Sequence, residues 1–371
     1  MDFGIETESS RKRKKKNNDT IKLAILSGFF ILLSIILIIV YMNSTKNQEP
    51  ETPVAPPVVV EEPEPIVEEK SLQIVDPDSN DRPVAVMIDN ETGEYRHAGL
   101  QDAYINYEII INGGSTRIMS IYKDKRTNVV GPVRDSVSYF LDYAIEHDAI
   151  FTSFGVGEGV EQDVTNLGIN YINGMVDTDC FARDRNLPSP HNVFVSVDKV
   201  KSYLSTKGYS STSAGWQVLN YTTEEVDLSK DAEGNPSTTQ GLTVANRISI
   251  DYSDKENRTY AYDSVNKYYL RSQNGSAQLE RKSEHQLNVK NILIMRVENK
   301  TVDGTGKQEL KTTGSGTGYY IVNGYGAPIT WNKTSRTSKT KFTYNDGTEV
   351  KIADGNTFIQ IVPTTSKIEI R

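Results

Sequence analysis

Residues 23–42 are twenty consecutive positions without a charge, interrupted only by Ser27, Gly28 and Ser34. At about 1.5 Å per residue, a helix of that length spans ~30 Å, the thickness of a bilayer's hydrocarbon layer. An unbroken basic block at residues 11–16 precedes it. The positive-inside rule then keeps residues 1–22 in the cytoplasm and sends everything after the run outside. A cleaved secretory signal has an apolar stretch of about 7–15 residues that ends at a small-x-small site. This run is longer and passes into Val40-Tyr41-Met42. An uncleaved signal anchor is therefore expected, a single transmembrane helix at 23–42. No cysteine follows it closely enough to carry a lipid.

Charge divides what remains. Residues 1–22 hold seven Lys/Arg against four Asp/Glu, residues 43–80 hold two against nine, and residues 81–371 hold 32 against 36. With no dense basic run after residue 22, the chain lacks the electrostatic footprint of a nucleic-acid binder. Glu49-Pro50-Glu51-Thr52-Pro53 and Glu61-Glu62-Pro63-Glu64-Pro65 mark residues 43–80 as a disordered Pro/Glu-rich tether. Repeated proline favours extended chain, about 3 Å per residue, so the tether reaches up to ~110 Å. The lone cysteine, Cys180, excludes an internal disulfide and a thiolate metal cage, and reads as a small core residue.

Residues 81–210 are expected to form an α/β domain. The apolar run from Val84 to Ile88, ending in Asp89 and Asn90, suits a strand buried on both faces, with those two polar residues at the end where open α/β sheets keep their crevices. Residues 104–111 alternate as a second strand with Glu108 in its middle, and Gly113-Gly114 turns the chain into an antiparallel partner from Thr116 to Tyr122, with Arg117 early in it. A mid-strand carboxylate must face water or a cation, and Arg117 is close enough in register to pair with Glu108 or with a nearby carboxylate. After Gly131-Pro132, apolar residues at 137, 140, 141, 144 and 145 make a helical stripe. Arg134 then stands near a helix start, against the macrodipole's preference for negative charge. It must swing to a carboxylate or join Arg117 in holding a common anion. The Gly155-Val156-Gly157-Glu158-Gly159 stretch matches neither the phosphate loop nor the dinucleotide fingerprint. No cofactor is expected.

A loop rich in charge and proline carries Arg183, Asp184, Pro190, His191 and Asn192. His191 is the best general acid/base candidate in the chain. No serine sits on a nucleophile elbow, so a Ser-His-Asp triad is not supported. The four histidines, at 97, 147, 191 and 285, show no i, i+4 pairing, and no metal site is expected from their spacing. Residues 211–371 consist of short segments rich in Tyr, Thr and Val between turn residues, which predicts a smaller, mostly antiparallel β domain with residues 291–297 as its central strand. Its Tyr and Trp residues serve core packing or, if exposed, stacking on sugar rings.

Several of these segments together resemble the YerB-like family of bacterial envelope proteins, whose biochemical function is unknown. The likeness is carried by Arg82-Pro83 with Met87-Ile88-Asp89-Asn90, Gly99-Leu100 with Asp102-Ala103, Tyr107-Glu108, Gly113-Gly114 with Thr116-Arg117, Gly131-Pro132-Val133-Arg134, Arg183-Asp184 and Pro190-His191-Asn192. It implies an N-terminal α/β domain, a β-rich C-terminal domain and a place in the envelope of a bacterium. The chain departs from the family in using a transmembrane anchor where members carry a lipidated cysteine. It also has Phe154-Gly155-Val156-Gly157-Glu158 where the family tends to a Gly-Gly-Ser-Pro turn. The expected ligand site comprises Asp89, Asn90, Arg117, Arg134, Arg183, Asp184, His191 and Asn192. Its ligand is an anionic or carbohydrate-bearing cell-wall component or an envelope protein. The alternative is a hydrolase or transferase on a wall polymer, with Glu108 or Asp89 as acid/base and His191 as partner.

Overall fold

The computed structural model describes residues 8–45, 70–91, 96–231 and 233–371, which belong to two compact units, Met1–Glu68 and Glu69–Arg371. The first unit contains the helix α1 (Glu8–Thr45), whose stretch Ile25–Ser44 is long and apolar enough to cross a membrane. Residues 46–69, the greater part of the expected tether, lie outside the described residues. Its last stretch, residues 70–80, belongs to the second unit and is packed within it, contrary to the reading from composition. Gln73 and Ile74 donate backbone N–H groups to the Asp354 carboxylate at 2.8 and 2.9 Å, and Val75 is buried.

In the second unit, β1 (Val84–Asp89), β2 (Ile105–Ile110) and β3 (Thr116–Tyr122) form the antiparallel order β2-β3-β1. Then β4 (Ile150–Ser153) and β5 (Tyr171–Asn173) extend that sheet in parallel fashion. The helices α2 (Ser138–Ala144), α3 (Val160–Leu167) and α4 (Val197–Tyr203) complete the N-terminal α/β part. β1 is buried at every position, as an unbroken apolar run requires when both faces are covered.

The C-terminal part is mostly antiparallel. The Asn291–Val297 strand lies between the Gly314–Val322 strand and the Thr357–Pro363 strand. The Thr357–Pro363 strand also pairs in parallel with β2, so one eleven-stranded sheet runs through both parts of the chain. A six-stranded sheet, which includes Arg247–Ser253, Glu256–Asp263 and Tyr268–Gln273, forms a second layer. Alternate residues of β1 serve two different cores. Ala85 and Met87 pack with Phe140, Tyr143 and Val160 from the α2/α3 side. Val86 and Ile88 pack with Val197 of α4 and with Ile248 and Tyr260 of the smaller sheet. A strand covered in this way in an α/β fold usually carries helices on both faces, but here a sheet takes a large share of one. Both tryptophans, Trp216 and Trp331, are buried in the core, so neither offers a ring for sugar stacking.

Candidate functional site

The crevice lies at the C-terminal end of β1 and is built by a strap, residues 130–134. Gly131 makes the strap possible: its φ is +147°, and a Cβ there would sit 2.9 Å from both Val133 N and Val193 O. Backbone hydrogen bonds then lash the strap to both sides, with Asp89 N–H donating to Pro132 O at 2.9 Å and Val133 N–H to Val193 O at 2.7 Å. Arg134 N–H donates to Met87 O at 3.1 Å, which delivers the arginine side chain beside Asp89. The helix proper begins at Ser138, so Arg134 escapes the macrodipole and swings to a carboxylate, the first of its two expected options.

Asp89 is almost wholly buried and is the anchor of the crevice. Its Oδ2 accepts from Arg134 Nη1 at 3.0 Å and from His191 Nδ1 at 2.5 Å, while Oδ1 accepts the Glu91 N–H at 3.1 Å. Burial pushes the Asp89 carboxyl up, but Arg134, the Glu91 N–H and His191 outweigh it and hold the group below its usual range. Since the aspartate is an acceptor, Nδ1 of His191 carries the hydrogen and Nε2 turns toward the Glu91 carboxylate, 4.0 Å away. The side chains of Arg134 and His191 are 18 and 20 % exposed, so both reach the surface from a buried base.

On the rim, Arg183 Nη1 donates to Asn192 Oδ1 at 2.8 Å and stacks over Phe154. Asp184 is paired with Arg281, a residue of the C-terminal part that lies over Phe194. No spacing in the sequence pointed to Arg281, because nearly a hundred residues separate it from Asp184.

Two of the expected site residues stand elsewhere. Glu108 does not pair with Arg117. In the antiparallel register Glu108 faces Ile118 and Arg117 faces Ile109, so the two side chains point to opposite sides of the sheet. Arg117 is buried, donates to Asp135 O at 2.7 Å and lies 3.2 Å from the Asp135 carboxylate. That same carboxylate is 3.8 Å from Arg134 Nε, so the anion common to the two arginines is the chain's own Asp135.

Glu108 is instead enclosed between the two sheets, with Arg258 Nε at 2.6 Å on one oxygen and Arg271 Nη2 on the other, all three side chains fully buried. Burial alone would raise its pKa, but Arg258, Arg271 and Thr116 reverse the shift and bring it to about 2. A carboxylate so enclosed and so strongly ionised is unsuited to proton transfer. Asn90, also buried, donates to Glu108 Oε1 and to Thr116 Oγ1, both at 2.8 Å.

His97, which the sequence did not mark, joins this hub to the crevice. Its Nε2 donates to Asp89 O at 2.6 Å, and its Nδ1 accepts from Gln278 Nε2 at 3.1 Å. Gln278 in turn donates to Asn90 Oδ1. Burial lowers the His97 pKa to about 4, which keeps the ring neutral and suits the donor and acceptor roles just described. Cys180 is buried, and burial raises its thiol pKa to about 11, as befits a core residue.

Residues 71–210 match the N-terminal domain model of DUF3048, a protein family of unknown function, and residues 248–359 match its C-terminal domain model. The "Putative lipoprotein YerB" of Bacillus subtilis is 26% identical over 287 residues, 76% of this chain and 81% of that protein. The crystal structure of YerB from Bacillus subtilis shares the fold, with a TM-score of 0.66 at 24% identity, over 78% of this chain and 94% of that one.

Proposed function

Because the chain belongs to the YerB-like family, with its paired DUF3048 domains, we propose that it is a membrane-anchored envelope protein that holds an anionic group at the Asp89–Arg134–His191 crevice. Residues 23–42 cross the cytoplasmic membrane once, residues 1–22 remain inside, and the folded unit faces the wall. The apolar stretch Ile25–Ser44 of α1 and the basic block at residues 11–16 that precedes it support this topology. The ligand is an anionic or carbohydrate-bearing wall component, or an envelope protein that presents the same group.

One observation carries the reading. Two cationic or proton-donating side chains from separate segments, Arg134 and His191, meet on one oxygen of a buried aspartate while their outer edges stay exposed. A buried base of this kind holds a guanidinium and an imidazole in place before a ligand arrives, which lowers the entropic cost of binding. The test is retention of the Glu69–Arg371 unit on purified cell-wall material and on envelope extract, for wild type and Arg134→Ala. At least tenfold weaker retention of the variant is expected, and equal retention would remove the crevice as the binding site.

A second reading has its own observation. A histidine whose Nδ1–H is held by a carboxylate presents Nε2 as a proton acceptor, the arrangement of a general base. A wall hydrolase or transferase would then use His191 as acid/base with Asp89 orienting it, and Glu108 would have no part. Release of soluble wall fragments by wild type but not by His191→Gln would favour this reading over binding alone.

A further inference from the structure

We propose that Glu91 and His191, with Asp89 behind them, form a site for a divalent cation of the zinc type. Each of the three offers a ligand atom, and these atoms all lie within 4.8 Å of one another. They come from two segments about a hundred residues apart, the end of β1 and the turn at residues 188–191, so no sequence spacing announces them.

The roles within the group follow from the hydrogen bonds. Asp89 accepts the His191 Nδ1–H at 2.5 Å, which fixes the ring and its tautomer. Histidines that bind metals commonly donate their other ring N–H to a carboxylate in this way, and the partner strengthens the ligand nitrogen. His191 Nε2 is thereby aimed at the Glu91 carboxylate at 4.0 Å. Zinc bonds to nitrogen and oxygen are about 2.0–2.2 Å, so two ligand atoms on one tetrahedral ion stand roughly 3.4 Å apart. Closing the gap takes well under an ångström, within reach of the Glu91 side chain, which is 42 % exposed.

Charge fits as well. Arg134 faces both carboxylates, so at this end of β1, among the described residues, Asp89 and Glu91 carry two negative charges against its one positive charge. One imidazole nitrogen and one carboxylate oxygen suit a borderline ion such as Zn²⁺ better than Mg²⁺ or Ca²⁺, which favour oxygen-only shells. Two protein ligands leave coordination positions open beside Arg134. An anionic ligand could then bridge the ion and the guanidinium, which extends the crevice reading without being required by it.

The test uses Zn²⁺ alone, titrated into the metal-stripped Glu69–Arg371 unit in competition with a chromogenic chelator. Wild type is expected to take up one equivalent, and Glu91→Gln and His191→Gln are each expected to weaken uptake at least tenfold with unchanged far-UV circular dichroism. Absence of uptake, or uptake indifferent to both substitutions, overturns the proposal. Because the probe is the ion and not wall material, a failed titration leaves the Arg134→Ala retention result standing. A failed retention assay likewise leaves the metal site standing.

Discussion

Replacing Glu108 by glutamine removes a negative charge that is enclosed between the two sheets. Arg258 retains the Glu256 carboxylate at 2.7 Å. Arg271 keeps the Tyr260 hydroxyl, the Gln278 amide and its place over the Phe358 ring, but loses the carboxylate that balances its charge. An uncompensated charge in a fully buried site costs about 3–5 kcal/mol. Glu108→Gln should therefore lower stability by that amount at neutral pH.

The same carboxylate gives a pH signature. Its folded pKa of about 2 lies below the ordinary 4.5, so its contribution is present above pH 4.5 and lost as pH falls through 2. The difference of some 2.5 units corresponds to about 3 kcal/mol, in line with the first figure. Urea unfolding of the Glu69–Arg371 unit, followed by fluorescence of the buried Trp216 and Trp331, measures it. Adding Arg271→Met should recover most of the loss, because the stranded charge goes with it. A loss below about 1 kcal/mol, or a double variant whose losses simply add, would refute the picture of Glu108 as a structural hub.

Other consequences are as direct. His97 has a folded pKa of about 4 against an ordinary 6.5, so the neutral ring contributes stability above pH 6.5 that drains away as pH falls through 4, up to about 3 kcal/mol. Asp142, Glu146 and Glu280, whose carboxyls are raised by burial, act in the opposite direction in wild type and variant alike. Thermal unfolding of His97→Gln should accordingly show a weaker acid destabilisation than wild type between pH 6.5 and 4; parallel curves would contradict it. Gly131→Ala forces a left-handed backbone on a residue with a side chain and drives its Cβ into the strap; a loss of at least about 2 kcal/mol is expected on denaturant unfolding, and none would mean that the strap is loose. A reporter fused to the N-terminus should be protected from protease in intact cells while one at the C-terminus is cleaved; the reverse pattern would refute the assigned topology.

What the sequence determined by itself rests on local physics. Twenty uncharged residues are long enough to cross a bilayer whatever follows them, and an unbroken apolar strand such as β1 must be covered on both faces. Asp89, Arg134 and His191 are marked as site residues by a strand end, a helix start and a constrained loop in turn, and the fold brings these three together on one oxygen. The tertiary structure decided the rest. The partners of Glu108 lie 150 and 163 residues away, and a one-residue difference in register sent Arg117 to the opposite face of the sheet. Residues 70–80 have the composition of a tether yet are held by Asp354 near the far end of the chain. The approach of Glu91 to His191 depends on the turn at residues 188–191, which is held by the strap through Val193 and by the pairing of residues 181–183 with 193–195. Local patterns record which residues are costly to leave unpaired; long-range pairing chooses their partners.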